Sequence, residues 1–394
     1  MTGPLTGIRV ADFSSFAVGP WCGTLLGALG ADVIKVEQPG GDPLRAVMPL
    51  KSGYPTTSTT VNLNKRSVSL NLKDPDDKQL ALEFATQADV LIENYRAGVM
   101  ERLGLGYEVV SASNPRIVYC SSGSFGDRGP MARVGSTDPQ GQAFGGVASL
   151  NGSPGVKAEL FRHRAYVDLS TSYVLVQAAL TALFVRERTG RGQHITTAQL
   201  YAAIAIQTSR LGHYFATGRA PRPMGSAVPH IVPSQAFRAR DGRWINVSAV
   251  SPAQWAALCR AVNHPEWVDD PRFATNAARV EHRDELIPLL EAEFARAEGT
   301  GWLGRLEDLG VPCGPYLEYE DLIHHEHFRA NQVLSTVSLP DGTPLRTPAM
   351  PWRFSTLETR LGPAPLPGQH SGEVKAALRQ GRWPAPASEE VEVG

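Results

Sequence analysis

GIRVADFSSFAVGPWCGTLLGALGADVIKVE (residues 7–37) consists of two short apolar segments with a helical segment between them. Residues 7–13 and 31–37 are rich in Val and Ile and largely apolar on both faces, which is typical of strands buried between helices in a parallel sheet. Residues 19–30 predict the helix that connects these strands. The stretch therefore predicts a β-α-β unit.

The same alternation of strand and helix continues along the chain. Further strands are predicted at DVLIENY (89–95), RIVYCSS (116–122) and HITT (194–197). Further helices are predicted at 74–87 with Asp74 near the start, at 98–113, and at 198–218, where we expect one long buried helix. Alternation of this kind indicates an α/β fold with a large, doubly wound parallel sheet, a Rossmann-like domain.

A second region begins near Pro221, where the sequence becomes rich in Pro and Gly and loses its periodicity. A hairpin is predicted to turn at Asp241–Gly242, and helical patterns follow at 251–262, 283–297 and 301–310. Beyond Phe328 strands return, and a Pro-rich strap, 361–374, is expected to cross a surface rather than enter a core. We therefore predict three segments: 1–220, the N-terminal part of the large domain; 221–328, a linker and a smaller α+β domain; and 329–394, a return segment that completes the large domain.

The composition excludes several classes of partner. The net charge of −1 over 394 residues gives no overall field for nucleic acid or an anionic membrane. The longest apolar stretch, 173–185, is too short to span a bilayer, and no secretory signal is visible at the start. Four scattered cysteines without a CxxC pair disfavour a disulfide framework and favour a reduced, cytoplasmic setting.

Motifs of common enzyme classes are missing. The first strand is followed by SSFAVGPW instead of GxGxxG, which argues against a nicotinamide enzyme, and TGRGQH is not a P-loop. The histidine-rich HHEHF (324–328) lacks HExxH spacing; His324 and His327 could share a helical face, but we expect no metal site. SSGSFG (121–126) lacks the GxSxG turn of serine hydrolases.

Asp168 stands at the start of an apolar segment without another charge as far as Val185. One face of the predicted helix is apolar, and Gly190 is suited to end it. Asp168 then occupies an N-cap position, where a carboxylate accepts a backbone N–H bond worth about 1 kcal/mol. Position alone leaves two hypotheses open, a structural cap and a functional acid.

Cations are found next to two of the predicted strands. Lys65, Arg66 and Lys73 surround one strand, and Arg96 and Arg102 follow another. Ligands of open α/β sheets bind at the carboxyl ends of strands, so these cations suit a phosphorylated ligand. Solvated surface charge is the alternative explanation for each of them.

A series of ordered segments carries a family resemblance. The segments are 5–45, NKRSVSLNLK (64–73), DVLIENYRAGVMERLGLGYE (89–108), NPRIVYCSSGSFGDRGP (114–130), VDLSTS (167–172), RERTGRGQHI (186–195), 266–280 and LGVPCGP (309–315). Together, from Leu5 to about His370, they resemble the class III CoA-transferases, a family that includes formyl-CoA and carnitine CoA-transferases and α-methylacyl-CoA racemase.

The resemblance implies a CoA-transferase that moves CoA between carboxylic acids, with acyl-CoA as a substrate and no tightly bound cofactor. It implies an interlocked homodimer, in which the Pro-rich straps near Pro221 and Pro363 wrap the partner. The acid in the segment matching VDLSTS is the family's nucleophile, which here is Asp168. Its carboxylate would form an acyl anhydride and then an aspartyl-CoA thioester.

The resemblance also implies CoA-binding residues. These are Ala17 and Val18 near the thioester; Leu70, Asn71, Leu72 and Lys73 at the adenosine; and Asn94, Tyr95 and Arg102 at the pantetheine and phosphates. Arg96, one of the cations that follow a strand, is a further candidate for CoA binding. Gln38 stands where formyl-CoA transferase has an arginine, so Arg45 is a candidate replacement. Gly135 stands where a lysine is found, with Arg133 close by. The glycine-rich loop that covers oxalate in formyl-CoA transferase has no counterpart here, which argues against oxalate specificity.

Two other functions are open to a chain with this resemblance. A racemase needs an acid–base pair at the substrate's α-carbon, and Thr137 and Asp138 stand where its histidine and aspartate would fall. Threonine cannot exchange a proton near neutral pH, so a racemase is disfavoured. A non-catalytic acyl-CoA binding protein is disfavoured because Asp168 is intact.

Overall fold

The chain forms two compact units in the computed structural model, which describes residues 3–47, 55–156, 159–162, 165–339, 341–357, 359 and 361–385. Unit 1 comprises Met1–Ala148, Leu160–Arg219 and Asn331–Gly394, and unit 2 comprises Ser149–Glu159 and Ala220–Ala330. The predicted segment 1–220 includes residues 149–159, which instead belong to unit 2, where the Gly225 N–H donates to the Gly152 carbonyl at 2.8 Å.

Unit 1 is built on a six-stranded parallel sheet with the order β3-β2-β1-β4-β5-β6. The strands are β1 (Arg9–Asp12), β2 (Asp32–Glu37), β3 (Lys65–Ser69), β4 (Val90–Glu93), β5 (Val118–Gly123) and β6 (Gln193–Ala198). All neighbouring strands in this sheet pair in parallel. The predicted parallel α/β sheet is therefore confirmed.

Helices cover both faces of this sheet. In the part of unit 1 that ends at Arg219, the helices are α1 (Val18–Ala28), α2 (Thr56–Thr60), α3 (Pro75–Gln87), α4 (Val99–Arg102), α5 (Tyr107–Ser113), α6 (Asp138–Phe144), α7 (Tyr166–Thr189), α8 (Gln199–Ala205) and α9 (Thr208–Thr217), with 3-10 turns at Pro43–Ala46 and Val147–Ser149. The Asp74 carboxylate accepts from the N–H groups of Asp76 and Asp77 at 3.0 and 3.1 Å, so it begins α3 as an N-cap.

Neighbouring residues of β1, β2, β4 and β5 point into different cores, which is why these strand segments are apolar on both faces. Val10, Val33 and Val118 pack in one cluster, to which α1 and α7 contribute. Ala11, Ile34 and Tyr119 pack in the opposite cluster, to which α3 and α5 contribute. The sheet is thus buried between two helical layers.

The apolar stretch 173–185 lies within α7, a helix of 24 residues that ends at Gly190 with a φ of 71°. Among the described residues, α7 alone has the length and composition to cross a membrane. A core helix of a globular domain passes the same test, and Leu175 and Ala179 of α7 are fully buried in the cluster shared with α1.

The prediction of one long buried helix over 198–218 is wrong. The chain forms α8 and α9, and none of the α9 residues is buried. Gln207 breaks the helix because its side-chain Nε2 donates to the Ala203 carbonyl at 2.7 Å, while its backbone N–H donates to Ile204 instead. Phe215 in α9 has 78% of its surface exposed in the single chain.

Unit 2 contains a three-stranded antiparallel sheet of the order β7-β8-β9. Its elements are β7 (Ser234–Arg238), β8 (Trp244–Ser248), β9 (Cys313–Pro315), α10 (Pro252–Ala261), α11 (Asn276–Glu281), α12 (Arg283–Phe294), α13 (Gly299–Asp308), α14 (Tyr319–His324) and α15 (Glu326–Ala330), with a 3-10 turn at Pro265–Val268. The predicted hairpin is confirmed, and Gly242 adopts the positive φ of 83° that its turn requires. His324 and His327 lie in different helices, because the chain is extended at His325.

The return segment adds an antiparallel hairpin, β10 (Leu334–Ser338) and β11 (Pro344–Pro348), and the helix α16 (Ser371–Arg379) to unit 1. The prediction of a purely superficial strap over 361–374 is wrong at two points: Ala364 is buried against Leu63, and Val374 of α16 is fully buried in the cluster beside α3. The segment before α16 also covers β3, the edge strand: the Ser67 N–H donates to His370 Nδ1 at 3.1 Å, and the His370 N–H donates to the Ser67 carbonyl at 2.9 Å.

Candidate active site

A cleft of about 670 Å³ opens at the carboxyl end of the unit 1 sheet. Its walls are the segments that follow β1, β2, β4, β5 and β6, together with the first turn of α7. The strand order reverses between β1 and β4, and open α/β sheets bind ligands at such a switch point. The position of the cleft is therefore the one that the topology predicts for a ligand site.

Asp168 lines this cleft as the third residue of α7. The residue before the helix, Ala165, has no polar side chain, and Asp138 supplies the missing cap. Oδ1 of Asp138 accepts the backbone N–H groups of Val167 at 2.6 Å and Asp168 at 3.0 Å. The hypothesis that Asp168 is the N-cap is thus wrong, and its own carboxylate remains directed to the cleft.

The Asp168 carboxylate has one hydrogen-bond donor among the described residues. Nε2 of Gln199 donates to Oδ1, so Oδ2 is left without a described protein partner. Burial raises the pKa of Asp168 to about 6; the Gln199 bond opposes this rise, and the nearby Asp138 adds to it. The group is therefore a partly desolvated carboxylate that is ionised at neutral pH.

Gln199 is oriented by a second hydrogen bond. It is the first residue of α8, directly after β6, and only 5% of its surface is exposed. Its Oε1 accepts from the Ser136 hydroxyl, and the Ser136 N–H donates to Ser124 Oγ at 2.9 Å. Sequence reasoning missed this residue, although a polar side chain at the carboxyl end of a strand and the start of an apolar helix was a usable signal.

The loop after β1 forms the wall beside the start of α1 and is held rigidly. Phe16 has a φ of 62°, which is unfavourable for a residue with a large side chain. Its N–H donates to the Asp42 carboxylate at 3.2 Å. The Asn94 carboxamide accepts from the Ser15 N–H at 2.8 Å and donates to its carbonyl at 2.7 Å. These contacts fix the positions of the backbone at Ala17 and Val18.

Two buried lysines support that loop from below. Lys35 Nζ lies 3.1 Å from Asp42 Oδ2 and donates to the Ser14 carbonyl at 2.6 Å. Lys65 Nζ lies 2.8 Å from Asp12 Oδ2. Burial lowers the pKa of Lys65 to about 8 although Asp12 opposes the shift, and burial would raise the pKa of Asp12, but Lys65 and Lys35 hold it below its usual value.

The prediction that Lys65 and Arg66 serve a phosphorylated ligand is wrong, as is the alternative that they are solvated surface charges. Both side chains are buried, and Arg66 lies 2.7 Å from Asp32. Both hypotheses assumed that these side chains face solvent or a ligand. They point into the domain instead, where each needs an anion.

Among the described residues that line the cleft, Arg96 is the one with a positively charged side chain. Its guanidinium lies over Gly135. A Cβ atom added at Gly135 would lie 2.5 Å from Nε of Arg96, so the absence of a side chain there makes room for the arginine. Arg96 makes no ion pair within the described part of the chain. Arg45, by contrast, is bonded to Glu37 at 2.8 and 2.7 Å, which contradicts a role for it as a free replacement beside Gln38.

A family model for CoA-transferase family III matches residues 5–371. The chain belongs to this family. The mouse succinyl-CoA:glutarate CoA-transferase is 34% identical over 387 residues, which cover 95% of this chain and 87% of the mouse enzyme. The acetyl-CoA:oxalate CoA-transferase of Acetobacter aceti is 34% identical, covering 84% of this chain and 85% of that enzyme.

The fold of this CoA-transferase is also that of a solved relative. A CAIB/BAIF family protein from Brucella suis superposes with a TM-score of 0.84 at 33% identity, covering 96% of this chain and 100% of that protein. The expected family membership and the expected enzyme class are therefore confirmed.

Within the CoA-transferase, the cleft brings some of the predicted site residues together and leaves others outside its lining. Those that line it are Ala17, Val18, Gln38, Asn94, Tyr95, Arg96 and Asp168. Those that do not are Leu70, Asn71, Leu72, Lys73, Arg102 and Arg133. Leu70 has 1% of its surface exposed and packs in the core of unit 1, so its side chain is not available to a ligand.

The residue that would have to act as a racemase base has another role in this CoA-transferase. Thr137 is the N-cap of α6, and its N–H donates to Oε1 of Gln140 at 3.0 Å. Asp138 is occupied by the first turn of α7. Among the described residues, no group of three His, Cys, Asp or Glu side chains is placed to hold a metal.

A smaller cavity of about 300 Å³ lies beside the cleft and shares Tyr95, Arg96 and Ser124 with it. Ser121 Oγ lies 2.9 Å from Nε2 of His194 within its walls. Burial raises the pKa of Glu93, also in the wall, to about 7. The cavity therefore continues the cleft along the carboxyl edge of the sheet.

Proposed function

We propose that this CoA-transferase moves CoA from an acyl-CoA donor to a free carboxylic acid through covalent intermediates on Asp168. The observation that carries the proposal is the Asp168 carboxylate, which lines the switch-point cleft with one oxygen bonded to Gln199 and the other without a described partner. A capping role does not account for Asp168, because Asp138 already caps α7.

The chemistry proceeds by two exchanges at carbonyl carbons. Oδ2 of Asp168 attacks the donor's thioester carbon, the carbon–sulfur bond breaks, and CoA leaves as the thiolate. The thiolate then attacks Cγ of Asp168 and the donor acid leaves as a carboxylate, which produces an aspartyl-CoA thioester. The acceptor carboxylate repeats both steps in reverse. No proton transfer is needed, so the absence of a base at Thr137 suits this reaction.

The ionisation of Asp168 sets the pH range of the reaction. With a pKa of about 6, the nucleophile is largely ionised at pH 7 and is less well solvated than a surface aspartate. Partial desolvation makes an anion a better nucleophile while leaving it charged. We expect the rate to fall below pH 6 as the carboxylate takes up a proton.

CoA is proposed to lie along the carboxyl edge of the sheet, from the loop after β3 to Asp168. Ala17 and Val18 would contact the thioester, and Arg96 would provide the positive charge that the family's lysine provides at the position of Gly135. The space over Gly135 supports this role for Arg96, whereas Arg133 lies outside the cleft lining. The stretch 70–73 and Arg102 are proposed to contact the adenosine and phosphates at the end remote from Asp168.

We further propose that the enzyme is an interlocked homodimer, as its family resemblance implies. Large apolar side chains on consecutive helices of unit 1 support a partner surface, since exposed groups of this size are costly in water. These are Tyr173, Phe184, Tyr201, Ile204 and Phe215. Light scattering of the purified protein should give twice the mass of one chain. A monomeric mass would contradict the dimer.

The function is tested by assaying acyl-CoA donors against free acids, including succinyl-CoA with glutarate and acetyl-CoA with oxalate, since relatives of this enzyme use these pairs. The enzyme is then mixed with an active donor, treated with hydroxylamine and digested. A hydroxamate at Asp168 by mass spectrometry is expected, and the Asp168→Ala variant should bind the donor without transferring CoA. Wild-type turnover by Asp168→Ala would overturn the proposal.

A further inference from the structure

Gln199 touches the same carboxylate that is proposed to react. Its Nε2 donates to Oδ1 of Asp168, while its Oε1 accepts from the Ser136 hydroxyl. An ionised carboxylate can only accept hydrogen bonds, so the NH₂ group of the amide must face Asp168. The Asp168 carboxylate thus sets the orientation of the amide, and the Ser136 hydroxyl and the burial of Gln199 hold the side chain in place.

The two oxygens of Asp168 have different fates in the proposed reaction, on which this inference rests. Oδ2 bonds to the acyl carbon and leaves with the donor acid when the Cγ–Oδ2 bond breaks. Oδ1 stays on Cγ throughout, as the carbonyl oxygen of the anhydride and of the thioester. When the CoA thiolate bonds to Cγ, an electron pair moves onto Oδ1, and it returns when the donor carboxylate is expelled.

We propose that Gln199 is a catalytic residue that stabilises the negative charge developing on Oδ1 whenever a nucleophile adds to Cγ of Asp168. Its Nε2–H already points at the atom on which the charge appears, so no reorganisation is needed during the step. The Asp138 carboxylate fixes the same residue from the other side by binding the Asp168 N–H at 3.0 Å. Gln199 therefore fixes the side-chain oxygen Oδ1 of Asp168, and Asp138 fixes its main-chain N–H.

This role is selective among the steps of the reaction. Gln199 acts on the formation and the breakdown of the aspartyl-CoA thioester, which both occur at Cγ of Asp168. The attack of Oδ2 on the donor's carbonyl places charge on a substrate oxygen, which Gln199 does not touch. Loss of the amide should therefore slow thioester formation while leaving the affinity for acyl-CoA unchanged.

The test compares Gln199→Met with Gln207→Met. Methionine has nearly the same volume as glutamine but donates no hydrogen bond. Gln207 is a matched control because it is also a buried glutamine, but its Nε2 donates to the carbonyls of Gly145 and Ala203, at 2.7 Å each. For Gln199→Met we expect kcat to fall about 100- to 1000-fold, as for loss of an oxyanion donor, with acyl-CoA affinity within about twofold. Gln207→Met should retain kcat within about threefold, because the helix break that it disturbs follows α8 and lies outside the cleft lining.

Two further readouts separate catalysis from a structural role. Rapid quenching and mass spectrometry of the Asp168 peptide should show CoA-adduct formation slowed by the same factor as kcat in Gln199→Met. The acid limb of kcat/KM should move to higher pH in that variant, since a bond favouring the ionised carboxylate is lost. Ser136→Ala keeps the amide but removes the hydrogen bond that holds it in place. Its kcat should fall by a smaller factor, and its acid limb should also move to higher pH.

Several outcomes would overturn the inference. They are a kcat within threefold of wild type in Gln199→Met, a loss equal to that of Gln207→Met, or an unchanged acid limb in both Gln199→Met and Ser136→Ala. Failure of the underlying function has a different signature: no CoA adduct forms on Asp168 in the wild-type enzyme, or Asp168→Ala transfers CoA. The wild-type adduct measurement is therefore made first.

Discussion

Asp168→Asn should make the folded enzyme more stable at pH 8 while it abolishes CoA transfer. Burial raises the pKa of Asp168 from an ordinary value of 3.8 to about 6, so the folded state tolerates the charged carboxylate less well than the unfolded chain does. The neutral form is stabilised below pH 4, and this contribution is lost as the pH rises through 6. Asparagine removes the penalty and keeps an oxygen that can accept from Gln199.

The size of the effect follows from the two pKa values. At about 1.4 kcal/mol per pKa unit, the difference between 3.8 and about 6 corresponds to about 3 kcal/mol above pH 7. Asp168 is partly exposed, and asparagine forms a weaker bond with Gln199 than a carboxylate does, so we expect a net gain of about 1–3 kcal/mol. About half of the gain should remain at pH 5 and about a fifth at pH 4.

The assay is urea unfolding followed by circular dichroism at pH 8, 5 and 4, with amide hydrogen exchange over residues 166–189 to locate the effect in α7. Exchange is needed because a chain of two units can unfold in more than one step. Asp127→Asn, which neutralises an exposed aspartate, is the control and should show no such pH-dependent gain. An Asp168→Asn variant that is less stable than wild type at pH 8, or whose gain is the same at all three pH values, would refute the reasoning.

Three other substitutions or assays test the cleft and its support. Lys65→Met should lower the free energy of unfolding by about 3–5 kcal/mol, because it leaves Asp12 buried without its cation. Adding Asp12→Asn should restore part of the loss. A change under about 1 kcal/mol in urea unfolding would contradict this. Arg96→Ala should raise the Kd for CoA about 10- to 100-fold by calorimetry, since charge-assisted bonds are worth about 1.5–3 kcal/mol, whereas Arg133→Ala should change it less than twofold; equal effects would argue against the role of Arg96. A 2-methylacyl-CoA incubated with enzyme in D₂O without an acceptor acid should gain no deuterium at its α-carbon by mass spectrometry, and gain at a turnover rate would favour a racemase.

Most of the fold could be predicted because its strands and helices differ in pattern and length. The β-α-β stretch at residues 7–37 has strands that are apolar on both faces, and only a sheet covered on both sides buries them. The single long helix expected over 198–218 failed because one side chain, Gln207, replaces a main-chain hydrogen bond. Helix breaks of this origin depend on a local competition that periodicity does not register.

The candidate site was predicted less completely. Asp168 came from a resemblance, and its carboxylate differs from a cap only because Asp138, a residue 30 positions earlier, takes that role. The buried cations were misinterpreted because sequence shows a charge but not the anion that pairs with it across the sheet. Gln199 was missed because its partners, Ser136 and Asp168, are distant in sequence and meet only when β6 and α7 are assembled.

The covering of β3 by residues near His370 has a consequence for synthesis. The two residues joined at that edge, Ser67 and His370, are 303 positions apart, so a ribosome working at about 5–20 residues per second needs roughly 15–60 s to supply the cover. During that interval the nascent sheet carries an open strand edge, which can pair with another chain. Slow elongation or crowded polysomes should therefore lower the yield of this enzyme, and chaperones that shield strand edges should raise it.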